Sequence, residues 1–287
     1  MVFDYIRLSR PKHVVKNFLI LLPPFFGQKL LAPETLKTAA FAFLSFSAVA
    51  AAVYVINDLA DVENDRRNEA KKNRPIASGR ISVPKASVFA AILLIAGFAM
   101  LAFADHIIPT SILLLVYFVL NIAYSLKLKN IPVVDVFILA SGFVLRVYFG
   151  GFWFDVVVSP WLFLCILCGA LFFAFGKRRN EMLNIPPPYP TRPVLNRYTL
   201  QYLTSCYYLF CALTIVFFSL WTILATTQHT MFMYTLPIVV FIIMRYNLII
   251  ETEDTSGDPV STLWADKLLI FLVLVFAILS FIGLYCS

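Results

Sequence analysis

The sequence predicts an all-α integral membrane protein of about nine transmembrane helices. Three observations predict it. Of the 287 residues, 61% are hydrophobic and 14% are charged. The mean hydropathy of +0.84 is too high for a soluble domain of this size. The apolar residues also gather into runs long enough to cross a bilayer, at about 14–31, 38–56, 84–104, 107–126, 132–154, 159–176, 200–225, 231–250 and 267–286.

Taken in order, the first run is interrupted by Pro23 and Pro24, with Lys16, Asn17, Gln28 and Lys29 crowding its ends. Its flanks carry no small-residue cleavage pattern, so it is expected to stay in the protein. The second run ends in Asn57-Asp58-Leu59-Ala60-Asp61-Val62-Glu63-Asn64-Asp65. The fourth ends in Asn121 to Lys127, just before Asp135, a faint echo that places two polar clusters across a central cavity. The fifth carries Arg146 inside it. The sixth holds Cys165 and Cys168, whose Leu, Phe and Ile surroundings read as helix packing and not as a metal or redox pair. Pro186, Pro187, Pro188 and Pro190 stiffen the connection that follows.

Lys29 and Lys37 lie between the first two runs and Arg146 within the fifth, while the other 20 of the 23 Lys and Arg residues fall on the opposite side. That side is expected to be cytoplasmic, which puts the N-terminus inside and the C-terminus outside a bacterial-type inner membrane. The net charge of +7 follows from this bias, suits anionic lipid and phosphate substrates, and calls for no nucleic acid. A single polytopic domain over 1–287 is expected, with cytoplasmic loops at about 57–83, 127–131, 177–199 and 251–266 and chemistry on that face. The sequence sets no oligomeric state.

On a continuing helix Asp58, Asp61 and Asp65 share one stripe, and Asn57 lies one turn from Asp61. Three neighbouring carboxylates repel unless a cation lies between them, and hard oxygen ligands suit Mg²⁺, which completes its shell with substrate phosphates. The plainer alternative is a solvated helix end neutralised by Arg66, Arg67, Lys71 and Lys72. An Arg deep in a span costs at least about 2.5 kcal/mol unless it lines a polar cavity or bridges to buried acceptors. Lys177, Arg178 and Arg179 either enforce topology or touch substrate, Glu181 is placed to pair with Lys177, and Asp135 either binds metal or sugar or caps a helix.

Asn57-Asp58 with Asp61 and Asp65 resembles the first aspartate-rich motif of the UbiA superfamily of intramembrane prenyltransferases, over nearly the whole chain. The second motif of most members, DxxxD, is missing: Tyr124-Ser125-Leu126-Lys127-Leu128-Lys129 and then Asp135 stand there. That departure resembles the decaprenyl-phosphate phosphoribosyltransferase branch. So do Tyr5 to Lys12 with Lys16-Asn17, Asn73-Arg74-Pro75-Ile76-Ala77-Ser78-Gly79, Gly142 to Arg146, Gly176-Lys177-Arg178 with Glu181, and Gly257-Asp258-Pro259 with Asp266. The resemblance implies Mg²⁺ on Asn57, Asp58, Asp61 and Asp65, and catalytic roles for Asp58, Asp61, Lys127 and Asp135. It implies substrate contacts from Lys16, Asn17, Asn57, Arg74, Tyr124, Lys129, Arg146, Lys177 and Arg178. The expected substrates are phosphoribosyl diphosphate and a polyprenyl phosphate drawn from among the membrane lipids. Alternatives are an aromatic prenyltransferase and, of another class, a transporter of a phosphorylated solute. The missing second motif and the surplus of cations favour the phosphoribosyl reading over the aromatic one, and the apolar outer halves of the spans disfavour the transporter.

Overall fold

The structure, a computed structural model, describes residues 2–67, 71–184, 193–224, 230–252 and 259–286. Its internal contacts group them into two compact units, Met1–Lys129 with Leu145–Val158, and Asn130–Val144 with Ser159–Ser287. The prolines at 186–188 and 190, Gly257 and Asp258 lie outside the described residues.

The first unit opens with the short helix α1 (Val2–Leu8), an eleven-residue 3₁₀ segment (Pro11–Leu21) and α2 (Leu22–Phe26). Then come α3 (Pro33–Ala60), α4 (Val62–Arg67), α5 (Val83–Ala99, extended as 3₁₀ to Phe103) and α6 (Ile107–Leu126). It closes with the C-terminal part of α7 (Val134–Trp153). Its core packs Phe46, Val49 and Val53 of α3 with Leu114 and Tyr117 of α6 and Phe149 and Trp153 of α7. Glycine lets two of these contacts close. At Gly97 a Cβ would stand 2.7 Å from Val49 Cγ2, and beside it Ser45 Oγ donates to the Gly97 carbonyl at 2.7 Å. At Gly150 a Cβ would stand 1.9 Å from the Ile20 carbonyl oxygen, so the 3₁₀ segment lies directly on α7.

The second unit holds the start of α7, α8 (Pro160–Leu183), α9 (Leu200–Leu224), α10 (Leu236–Thr252), α11 (Pro259–Ala265) and α12 (Lys267–Tyr285). Gly176 of α8 sits under the Tyr207 ring of α9, where a Cβ would meet Cε2 at 2.8 Å. Phe172, Phe175, Leu203 and Tyr246 complete that core.

Eight helical stretches among the described residues are long and apolar enough to cross a membrane, and each coincides with one of runs two to nine. The first run yields only the shorter piece His13–Phe26, because Pro23 and Pro24 bring no N–H to an α-helical ladder and the chain before them winds as 3₁₀. A second difference lies in the predicted loop 177–199, whose first residues continue α8 to Leu183.

Candidate active site

The end of α3 builds the acidic site of the first unit. The helix breaks at Asp61, whose N–H still reaches the Asn57 carbonyl at 3.0 Å, and α4 resumes with Asp65 N–H on the Asp61 carbonyl at 2.8 Å. Across this break Asp58 and Asp65 still converge on one Arg74 nitrogen, while Asp61 pairs elsewhere. Asp58 and Asp65 are buried, 5% and 2% exposed.

Between them lies a guanidinium: Arg74 Nη1 donates to Asp65 Oδ2 at 2.6 Å and to Asp58 Oδ1 at 3.1 Å. Arg10 Nη2 donates to the same Asp58 oxygen at 2.5 Å, and its guanidinium stacks 5.0 Å from the Tyr54 ring. The Asn73–Gly79 turn that carries Arg74 is fixed by Ser78 N–H on the Arg74 carbonyl at 2.9 Å and by buried Ile76 and Ile81. Gly79 takes φ 77°, which a Cβ would oppose.

Asp61 departs from the expected stripe. It is half-exposed and pairs with Lys129 Nζ at 3.6 Å. Asn57 accepts a hydrogen bond from Ser125 Oγ on α6, beside half-buried Tyr124 and exposed Lys127. Lys16 is half-buried on the 3₁₀ segment.

Arg146 is 5% exposed. Its Nε donates to Asn17 Oδ1 at 2.8 Å and Nη2 to the Tyr117 hydroxyl at 3.2 Å, with Phe46 and Tyr117 rings 4.8 and 5.0 Å from the guanidinium. Asn17, fully buried, donates in turn to Ser47 Oγ at 2.8 Å, so it serves as the brace of Arg146.

The second unit brings Asp135 and Arg178 together, 0% and 1% exposed. Arg178 Nε donates to Asp135 Oδ2 at 2.7 Å and Nη1 to Glu181 Oε2 at 3.0 Å, so the carboxylate of Glu181 meets Arg178 one turn back. Tyr198 donates to Asp135 Oδ1 at 2.7 Å and accepts the Val133 N–H at 2.5 Å. Burial pushes the Tyr198 phenol well up, and the bond to Asp135 adds to it. Beside this network Arg179 donates to Thr204 at 3.1 Å and to Glu251 at 3.0 Å, while Lys177 is half-buried. Asp266 caps α12 through Leu269 N–H at 2.6 Å and accepts from Arg245 at 2.5 Å. Sequence reasoning assigned no role to Arg10, Ser125 or Tyr198, whose partners lie 48, 68 and 63 residues away.

Among the described residues no three His, Cys, Asp or Glu side chains converge to hold an ion. Mg²⁺ needs no such cage, since one or two carboxylates plus substrate phosphates satisfy it. Asp58 and Asp65, which already share one cationic nitrogen, are a pair of that kind, so the donor set fits. A shallow surface depression of about 480 Å³ lies between α1 and α5, lined by Tyr5, Pro84, Lys85, Val88, Phe89 and Ile92, none of them a residue of the acidic site.

Eight membrane-length helices among the described residues, with buried carboxylates and guanidiniums paired at the end of α3, define a multi-pass membrane protein with a charged site. The chain belongs to the UbiA prenyltransferase family, whose model matches residues 21–265, and is a transferase. It is 31% identical to the decaprenyl-phosphate phosphoribosyltransferase of Corynebacterium glutamicum over 98% of this chain and 86% of that one. The protein of the same name from Mycobacterium tuberculosis is 32% identical over 77% and 74%. Among solved structures, a UbiA homolog from Archaeoglobus fulgidus bound to GPP and Mg²⁺ superposes with a TM-score of 0.73 at 21% identity, covering 98% of this chain and 99% of that one. A digeranylgeranylglyceryl phosphate synthase gives 0.72 at 21%, covering 100% and 99%.

Proposed function

We propose that the protein transfers 5-phosphoribose from phosphoribosyl diphosphate to a polyprenyl phosphate, releasing diphosphate. The observation that carries this is the similarity to the C. glutamicum phosphoribosyltransferase along 98% of the chain. The cations gathered at the acidic site, Arg10, Arg74 and Lys129, support it. The reaction breaks the bond between C1 of the ribose and the diphosphate oxygen, which leaves with the electron pair. An oxygen of the lipid phosphate forms the new bond at C1. That oxygen is already anionic, so no strong general base is needed.

Asp58 and Asp65 would hold Mg²⁺, with Asp61 and Asn57 at the same helix end, and the ion would offset the charge of the departing diphosphate. Arg74 and Lys129 orient the phosphates, and Lys127, at the end of α6, draws in the anionic acceptor. Positioning and electrostatics then supply most of the rate. The acidic site faces the cytoplasm in this reading, and the isoprenoid chain approaches from the bilayer.

Purified protein given Mg²⁺, a polyprenyl phosphate and phosphoribosyl diphosphate should form phosphoribosylated lipid, and EDTA should stop it. A parallel reaction offers prenyl diphosphate with 4-hydroxybenzoate. Prenylated ring in that tube, with no ribosylated lipid in the first, would overturn the assignment. As a control, Asp58→Asn should lower turnover at least about 100-fold while the protein stays in the membrane.

A further inference from the structure

We infer that Arg10 and Arg74 are built-in counter-cations of the acidic site: they hold Asp58 and Asp65 between turnovers, keep a bare divalent ion out, and transfer onto the diphosphate that brings the metal in. This rests on the metal–diphosphate reading above, and extends it to Arg10 and to the order of binding.

Charge balance carries the first step. Two carboxylates, 5% and 2% exposed, face two guanidiniums at 2.5 to 3.1 Å, so the cluster is neutral as it stands. A divalent ion entering alone would leave two uncompensated positive charges in a poorly solvated place, which is costly. The arginines must leave for the ion to enter, and they need an anion to leave toward. A diphosphate arriving with its metal meets both needs at once.

Mobility carries the second step. The carboxylates are fixed on the end of α3 and on α4, whereas the side chains of Arg10 and Arg74 are 28% and 29% exposed and sit on long stems in connecting segments. Arg10 also has a left-handed backbone, φ 50° and ψ 63°, directly before Pro11. Proline disfavours the helical region for its predecessor, and a side chain with a Cβ resists the left-handed one, so the position is strained. The Asp58 pair and the Tyr54 stack hold it there. Replacing Asp58 by a diphosphate oxygen as the Arg10 partner keeps the charge satisfied without unfolding a helix.

The test is binding of Mn²⁺, read by electron paramagnetic resonance on the full-length protein in detergent, with and without inorganic pyrophosphate. Wild type should bind Mn²⁺ alone at least about tenfold more weakly than with pyrophosphate. Arg10→Gln and Arg74→Gln should tighten Mn²⁺ alone by about tenfold and weaken the pyrophosphate-dependent binding by a similar factor, while Arg10→Lys and Arg74→Lys stay nearer wild type. Wild type that binds bare Mn²⁺ as tightly as with pyrophosphate overturns the inference without any variant. So do Gln variants whose bare-metal affinity is unchanged or weaker. Pyrophosphate carries no ribose, so a protein that fails to ribosylate lipid can still pass this test, and one that ribosylates lipid can still fail it.

Discussion

Arg178 shows how a polar side chain can read as substrate-facing and be otherwise occupied. Its bonds to Asp135 and Glu181 belong to a buried network that also takes in the Tyr198 hydroxyl. Arg178→Met should cost about 3–5 kcal/mol, because it strands a buried carboxylate, and adding Asp135→Leu should recover much of the loss. Denaturant titration in detergent measures both, and strictly additive losses would break the account. The basic residue was legible in the sequence, but its partner was not: Glu181 was equally placed for Lys177, and Asp135 lies 43 residues away. The acidic site was more legible because Asp58, Asp61 and Asp65 fall within two turns of each other. What the stripe hid was the break of the helix at Asp61, which leaves that carboxylate paired with Lys129.

At the scale of the element, runs two to nine were legible because hydropathy averaged over some twenty residues survives local irregularity. The end of α8 was not, since Lys177 to Glu181 ends the apolar run while the helix continues with its charges paired inside the protein. Nor does hydropathy distinguish 3₁₀ from α winding in the first run. Its eleven 3₁₀ residues rise about 2.0 Å each and the five of α2 about 1.5 Å, which together reach about 30 Å, the thickness of the hydrocarbon core. The close seat of that segment makes Gly150→Ala a sharp probe, because the new methyl meets a backbone oxygen and not a flexible side chain. It should destabilise the protein by about 1–3 kcal/mol, seen as an earlier denaturant midpoint, and an unchanged midpoint would show the segment free to shift. At the other end of the chain, the hydrogen bond from Arg245 holds the Asp266 carboxyl below the usual carboxylate range. A lowered folded value means that the stabilisation is complete above the unfolded value of about 4 and is lost as pH falls through the folded one. Asp266→Asn should therefore be less stable than wild type at pH 6 and converge with it as pH falls through the lowered folded value. A gap that persists at low pH would assign the effect to the cap alone.

For the whole molecule, the first segment decides topology. If its 30 Å reach is used to cross, the termini lie on opposite faces, the N-terminus on the basic side. Reporter fusions at each end should then give opposite signals, and equal signals would return the segment to one membrane surface. The exposed apolar side chains, Ile95, Ile108 and Phe271 among them, were foreseeable as apolar, but which faces turn outward depends on helix packing that no single run encodes. The contact between Ile20 and Gly150 also bears on how the chain is made. A ribosome delivers residue 20 about 130 residues before the glycine that receives it, so at 5–20 residues per second the N-terminal segment waits on the order of ten seconds for its seat. Through that interval Asn17 also lacks Arg146, and the nascent chain presents a polar, proline-broken segment to the insertion machinery. Membrane insertion of this protein is therefore completed backwards, its first segment being locked in only after α7 has been laid down.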